Sequence, residues 1–113
     1  MFARFFRLTK EKDFDKIFNE GKKKYTKIIG ILYLPNNLKN NRYGIIVSKK
    51  IAKKATTRNK IKRIIRSSLK KQEIFLKNGN DIIILAKPQI IDAENDEIEE
   101  NIDFCIKNIG LLK

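Results

Sequence analysis

Apolar and polar residues change their spacing several times along this chain, and each change predicts an element boundary. Phe14, Ile17 and Phe18 lie three and four residues apart, on one face of a helix expected over residues 10–19. Thr9 stands where an N-cap belongs, and Gly21 where such a helix stops. A short strand is expected at residues 22–25. The run Ile28-Ile29-Gly30-Ile31-Leu32-Tyr33-Leu34 predicts a second strand over residues 27–34, ended by Pro35. Asn36-Asn37-Leu38-Lys39-Asn40-Asn41 is a turn by composition, and a third strand follows over residues 42–48.

Helical spacing then returns. In a helix over residues 58–77, capped by Thr56 or Thr57, the residues Ile61, Ile64, Ile65, Ser68, Leu69, Gln72, Phe75 and Leu76 fall within an arc of roughly 140°. Lys62, Arg63, Arg66 and Lys70 fall on the opposite side, with Lys60 at its margin. Asn78-Gly79-Asn80 ends this helix. Residues 81–87 are almost all apolar, as expected of a central strand covered on both faces, and Pro88 closes it. A third helix over residues 92–109 gathers Ile98, Ile102, Cys105, Ile106 and Ile109 into one stripe, with Gly110 at its end. The order αβββαβα predicts a small α+β sandwich in which residues 42–87 form a strand–helix–strand crossover.

A chain of 113 residues fits one domain, 1–113. No apolar run approaches the roughly 20 residues that cross a bilayer. The start, Met1-Phe2-Ala3-Arg4-Phe5-Phe6-Arg7, lacks the pattern of a signal peptide. One cysteine, Cys105, suits a reducing cytoplasm.

Charge changes this picture from a fold to a partner. Lys and Arg number 26 against 13 Asp and Glu, a net +13. Residues 1–91 carry +18 and residues 92–113 carry −5. Within residues 49–71, 11 of 23 positions are Lys or Arg and none is acidic, whereas a merely solvated surface intersperses the two signs. Such an excess calls for a polyanion. Nucleic acid is the usual one, and an anionic membrane surface is the rival. Lys49, Lys50, Lys53 and Lys54 precede the second helix. Arg58, Asn59, Lys60, Lys62, Arg63 and Arg66 open it, and Lys70 extends the row. A row of this kind can follow a phosphate backbone, with guanidinium groups gripping phosphates bidentately. Asn59 adds a neutral donor and acceptor for a base edge or a 2′-OH. Phe14, Phe18 and Tyr33 fit either a stacking surface beside a basic groove or ordinary core.

The residue types limit the chemistry. The chain has no histidine, which removes His-based acid–base catalysis, the Ser-His-Asp arrangement and most zinc sites. Its five glycines never cluster into a phosphate loop. Asp92, Glu94, Asp96, Glu97, Glu99, Glu100 and Asp103 fit either the magnesium site of a two-metal nuclease or a solvated helix face. Acids at a helix start also favour its dipole, and they stand apart from the basic strip. Cys105, on the apolar stripe, reads as core.

Arg58-Asn59-Lys60-Ile61-Lys62-Arg63-Ile64-Ile65-Arg66, preceded by Gly44-Ile45-Ile46-Val47-Ser48-Lys49-Lys50, resembles the signature of the bacterial ribonuclease P protein subunit. Three more segments are similar in order: residues 7–21 to the family's first helix, Ile31-Leu32-Tyr33 to its next strand, and residues 80–88 to the strand after the long helix. The resemblance implies an α+β two-layer sandwich like the second domain of ribosomal protein S5, with a four-stranded sheet and a left-handed crossover. It implies that the partners are the catalytic RNA of ribonuclease P and precursor tRNA, with no membrane or small-molecule cofactor. The RNA would supply the active site for magnesium-dependent removal of the 5′ leader, so this chain would hold no catalytic residue. The basic helix and loop would contact the RNA, and a cleft lined by Phe14, Phe18 and Tyr33 would hold the leader. The chain departs from the family pattern at Lys60, where arginine is usual, and at Ala52-Lys53, where many members have Gly-Asn. A ribosomal protein or general RNA chaperone, and a self-sufficient nuclease, are the competing readings.

Overall fold

The computed structural model describes residues 7–113, so the signal-peptide expectation, made on Met1 to Arg7, lies outside it for all but Arg7. The elements run α1 (Glu11–Glu20), β1 (Lys22–Tyr25), β2 (Ile29–Pro35), β3 (Arg42–Ile46), α2 (Ala55–Gln72), β4 (Asn80–Ala86) and α3 (Asn95–Ile109), the order the sequence predicts. Short 3₁₀ turns at Glu73–Phe75 and Pro88–Asp92 follow α2 and β4.

The four strands lie in the order β1-β2-β4-β3. β2 is antiparallel to both β1 and β4, while β3 runs parallel to β4, so α2 is the crossover between neighbouring parallel strands. Alternation along the strands divides the core in two. Ile29, Ile31 and Tyr33 of β2, with Ile82, Ile84 and Ala86 of β4, face α2 and α3 in the larger cluster. Leu32 and Ile83 point the other way, into a smaller cluster with Leu8 and Ile17 of the α1 side. The apolar run of β4 is therefore covered on both faces, as expected. The sheet with α2 and α3 makes the sandwich, and α1 lies on the sheet's reverse face. Each isoleucine sealed between these layers stabilises the fold by about 1.5–3 kcal/mol.

The element ends show local physics that spacing does not reveal. Lys10, not Thr9, occupies the N-cap of α1, without a side-chain cap bond. Gly21 follows with φ −72°, so it is not a left-handed terminator. It is required for space: a Cβ there would lie 2.6 Å from the Ile17 carbonyl oxygen and 2.8 Å from that of Tyr33. α2 begins at Ala55 with Lys54 as N-cap, which puts Thr56 and Thr57 inside its first turn. After Gln72 the helix tightens into the 3₁₀ turn. Phe75 is thereby rotated out to 54% exposure instead of joining the core face, while Leu76 is buried and pairs with Leu112. The chain after β4 turns through Pro88–Asp92 before α3 starts at Asn95. Gly110 ends α3 at φ 87°, the left-handed conformation that favours glycine.

A polar network at one end of the sheet reaches the first turn of α1. The buried Asp81 carboxylate accepts from Arg42 Nε (2.8 Å) and Nη2 (2.6 Å) and from Asn36 Nδ2 (2.9 Å). Arg42 also lies 3.7 Å from Asp13 in the first turn of α1. Asn41, 2% exposed, accepts from the Asn80 backbone N–H and donates to the Lys77 carbonyl. At the sheet edges, β3 is extended by a bridge from Arg7 to Tyr43, while β1 presents Lys22, Lys23 and Lys24 along an open edge.

A candidate nucleic-acid interface

α1 does not cover the whole of its sheet face. Its buried residue among those described is Ile17, which docks between β2 and β4. Phe14 seats its ring on Gly44 of β3, where a Cβ would stand 2.6 Å from the ring. Gly44 is thus the absence of a side chain that lets an aromatic lie against the sheet. One turn on, Phe18 follows on the same side of the helix and remains 36% exposed. Beside the helix, register aligns Ile46, Leu85, Gly30 and Tyr25 in one row across all four strands. Ile46 and Leu85 in this row, and Leu34 elsewhere on the same face, are only partly buried. The result is a shallow apolar groove with α1 as one wall.

Basic residues of α2 reach the groove's β3 side. Lys62 and Arg66, one helical turn apart, line a cleft of about 100 Å³ together with Phe14, Arg7 and Gly44. Lys60 and Arg63 point elsewhere. They line an open groove between α2 and α3, of about 390 Å³, with Asn95 and Glu99. The basic face predicted as one strip therefore splits into two sides. Asn59, Arg63 and Lys70 are exposed, as are the loop lysines Lys49, Lys50, Lys53 and Lys54. Arg58 has a different orientation. It donates to the carbonyls of Ala52 (2.9 Å) and Lys53 (2.8 Å), bracing the loop at the position where this chain departs from Gly-Asn.

Tyr33 is not part of this groove. It points to the opposite face of the sheet, 8% exposed, and donates to the Ile109 carbonyl at 3.3 Å. Alternation along β2 puts Leu32 and Leu34 on the α1 face and so excludes their neighbour. Phe14 and Phe18 stand together at the groove; the third aromatic expected there belongs to the core under α3. Leu34, Ile46 and Leu85 are groove residues that the sequence reading missed. The two-residue spacing of Ile83 and Leu85, and of Leu32 and Leu34, was the available signal.

The acidic helix pairs locally with α2, through Lys71–Glu99 (2.8 Å) and Gln72–Asp103 (2.7 Å). Lys71 is exposed, so that ion pair adds little stability. Among the described residues no group of three His, Cys, Asp or Glu is arranged to hold a metal ion, and no helix is long and apolar enough to cross a membrane. Cys105 is fully buried, and burial pushes its thiol above the usual cysteine range, as suits a core residue. Tyr43, between the cleft and α2, has its hydroxyl pushed up by burial and by its hydrogen bond to Glu73, so it stays protonated.

Comparison with known proteins gives one consistent result. The family model described as Ribonuclease P matches residues 2–110. The ribonuclease P protein component of Alkaliphilus oremlandii is 35% identical over 106 residues, covering 94% of this chain and 92% of that protein. That of Caldanaerobacter subterraneus subsp. tengcongensis is 32% identical over 107 residues, covering 95% and 91%. The solved structure of the RNase P protein of Staphylococcus aureus superimposes with a TM-score of 0.88 at 28% identity, covering 97% of this chain and 100% of that one.

Proposed function

This chain belongs to the ribonuclease P protein family, and from that membership we propose that it binds the catalytic RNA and the 5′ leader of precursor tRNA together, as one RNA-binding domain. It is the protein component of an endoribonuclease ribonucleoprotein. The chemistry is carried by the RNA, and magnesium would be held there and by the substrate. This chain's own residues bind and orient. Lys49, Lys50, Lys53, Lys54, Asn59, Lys60, Lys62, Arg63, Arg66 and Lys70 contact the catalytic RNA, with Arg58 shaping the loop that presents four of them. Phe14 and Phe18 stack bases of the single-stranded leader. The setting is the cytoplasm.

The observation that carries this reading is the shared cleft of Phe14, Lys62 and Arg66. A single strand needs both an aromatic surface for its bases and cations for its phosphates, and here Phe14 shares one cleft with Arg7, Lys62 and Arg66. A leader held there lies against the α2 residues that grip the catalytic RNA, so the substrate is oriented relative to the RNA without any side chain entering the reaction.

The test is cleavage of precursor tRNA by the protein alone, by the catalytic RNA alone, and by both at low magnesium. Cleavage should need the RNA and should rise when the protein is added. Cleavage by the protein alone would make it a nuclease, and no gain on addition would leave a general RNA chaperone. Phe14→Ala should reduce the preference for precursor over mature tRNA by about the value of one stacked base, about 1–3 kcal/mol. Equal loss of affinity for both tRNAs would remove Phe14 from the leader site.

A further inference from the structure

We propose that Tyr25 forms a second base-stacking platform, at the far end of the groove from Phe14, for a nucleobase of the same single strand. The inference rests on the leader groove proposed above and extends it to a site at the β1 edge.

Tyr25 is the β1 member of the row Ile46–Leu85–Gly30–Tyr25 that floors the groove. Its ring does not point off the sheet edge. It lies back over Gly30, where a Cβ would stand 2.5 Å from the ring and 3.4 Å from Leu85. Covering a sheet glycine in this way is a known use of an aromatic, and here the Cδ1–Cε1 edge of the ring makes the contact. The rest of the ring is not enclosed: Tyr25 remains 49% exposed, with the Lys87 ammonium beside it. The row crosses three strand spacings, about 14 Å, so an extended strand entering beside Ile46 and the basic loop would run out over this ring.

The surroundings suit a nucleotide more than a protein partner. Residues 22–27 contain four lysines and no acid. Lys23 shares the α1 face with Tyr25, because it pairs with Leu32. Lys87 places its ammonium 5.9 Å from the ring centroid while donating to the Thr26 carbonyl at 2.8 Å. The backbone after Tyr25 is held as well. Thr26 N–H donates to the Ile29 carbonyl, and the Thr26 hydroxyl oxygen accepts from the N–H groups of Ile28 and Ile29. A fixed, half-exposed ring among ammonium groups offers a π-face to a base and cations to its phosphates.

The chain has no tryptophan, so Tyr25→Trp puts one fluorophore on the platform. In the holoenzyme assembled with catalytic RNA, its emission should fall on adding precursor tRNA with a leader of about ten nucleotides, long enough to cross the row. Mature tRNA, or a precursor whose leader ends before the row, should leave it unchanged. Tyr25→Ala should weaken binding of the long-leader precursor by about fivefold or more and leave the short-leader precursor unaffected, while Tyr25→Phe should bind both normally. Emission that is unchanged throughout, or that falls equally with mature tRNA, would overturn the platform. So would an equal loss for both leader lengths in Tyr25→Ala. A holoenzyme in which Phe14→Ala discriminates against short leaders while Tyr25→Ala does nothing loses the platform and keeps the groove. If Phe14→Ala leaves the preference for precursor intact, the groove fails, and the platform with it.

Discussion

Changing Lys62, Arg63, Arg66 and Lys70 together to alanine should lower the salt dependence of catalytic-RNA binding by roughly three to four units of log–log slope. Each phosphate contact releases about one counterion, so the slope counts contacts in a way that a bare affinity does not. The variant should keep its fold, because the buried face of α2, Ile61, Ile65, Ser68 and Leu69, is untouched and alanine is the best helix former. The structure also divides the experiment. Lys62 and Arg66 border the Phe14 cleft, whereas Lys60 and Arg63 border the groove to α3. Alanine at the first pair should diminish both RNA affinity and precursor preference; alanine at the second should diminish affinity alone. Titrating complex formation against salt for each pair checks this. An unchanged slope in the fourfold variant would show that these side chains touch no phosphate.

Ile17→Ala should destabilise the protein by about 2–5 kcal/mol, the range for removing a buried isoleucine to leave a cavity. Ile17 is 1% exposed and is the side chain by which α1 enters the sheet core. Phe14 rests on Gly44 but is only partly buried, and the ion pair of Asp13 with Arg42, at 3.7 Å, is partly hydrated and weak by comparison. The loss should therefore concentrate in α1. Amide exchange over residues 11–20 should accelerate more than exchange over β4, with the denaturation midpoint falling as a whole. Because α1 is a wall of the groove, precursor preference should fall too, even though Ile17 touches no RNA. A stable variant with slow exchange in α1 would mean that other contacts hold the helix.

Much of this organisation was legible in the sequence because periodicity is a direct consequence of burial. Ile61, Ile65 and Leu69 could only face a core, and the unbroken run of β4 could only be a strand covered twice. Elements whose shape depends on a neighbour were not legible. The start of α2 is stabilised from within, by Arg58 reaching back to Ala52 and Lys53, so its N-cap lies two or three residues before the threonines at 56 and 57. Gly21 was recognised as necessary for a conformational reason, but the cause is two carbonyl oxygens from other turns of the chain. Phase along β2 was the deciding matter for Tyr33: a shift of one position exchanges the groove for the core, and only the pairing with β4 fixes which applies. The basic strip was visible as charge. Its division between two grooves was not, because a helical wheel contains no neighbours.

The open edge of the sheet has a consequence for handling the protein without RNA. A bare strand edge is a template for another strand, and the opposite edge here is met by a bridge from Arg7 at Tyr43. On β1 the deterrent is the repulsion between Lys22, Lys23 and Lys24 and the same lysines of an incoming copy. That protection is electrostatic and so depends on solvent. Purified chains should remain dispersed at low ionic strength and begin to associate edge to edge as salt or a short polyanion cancels the lysine charge.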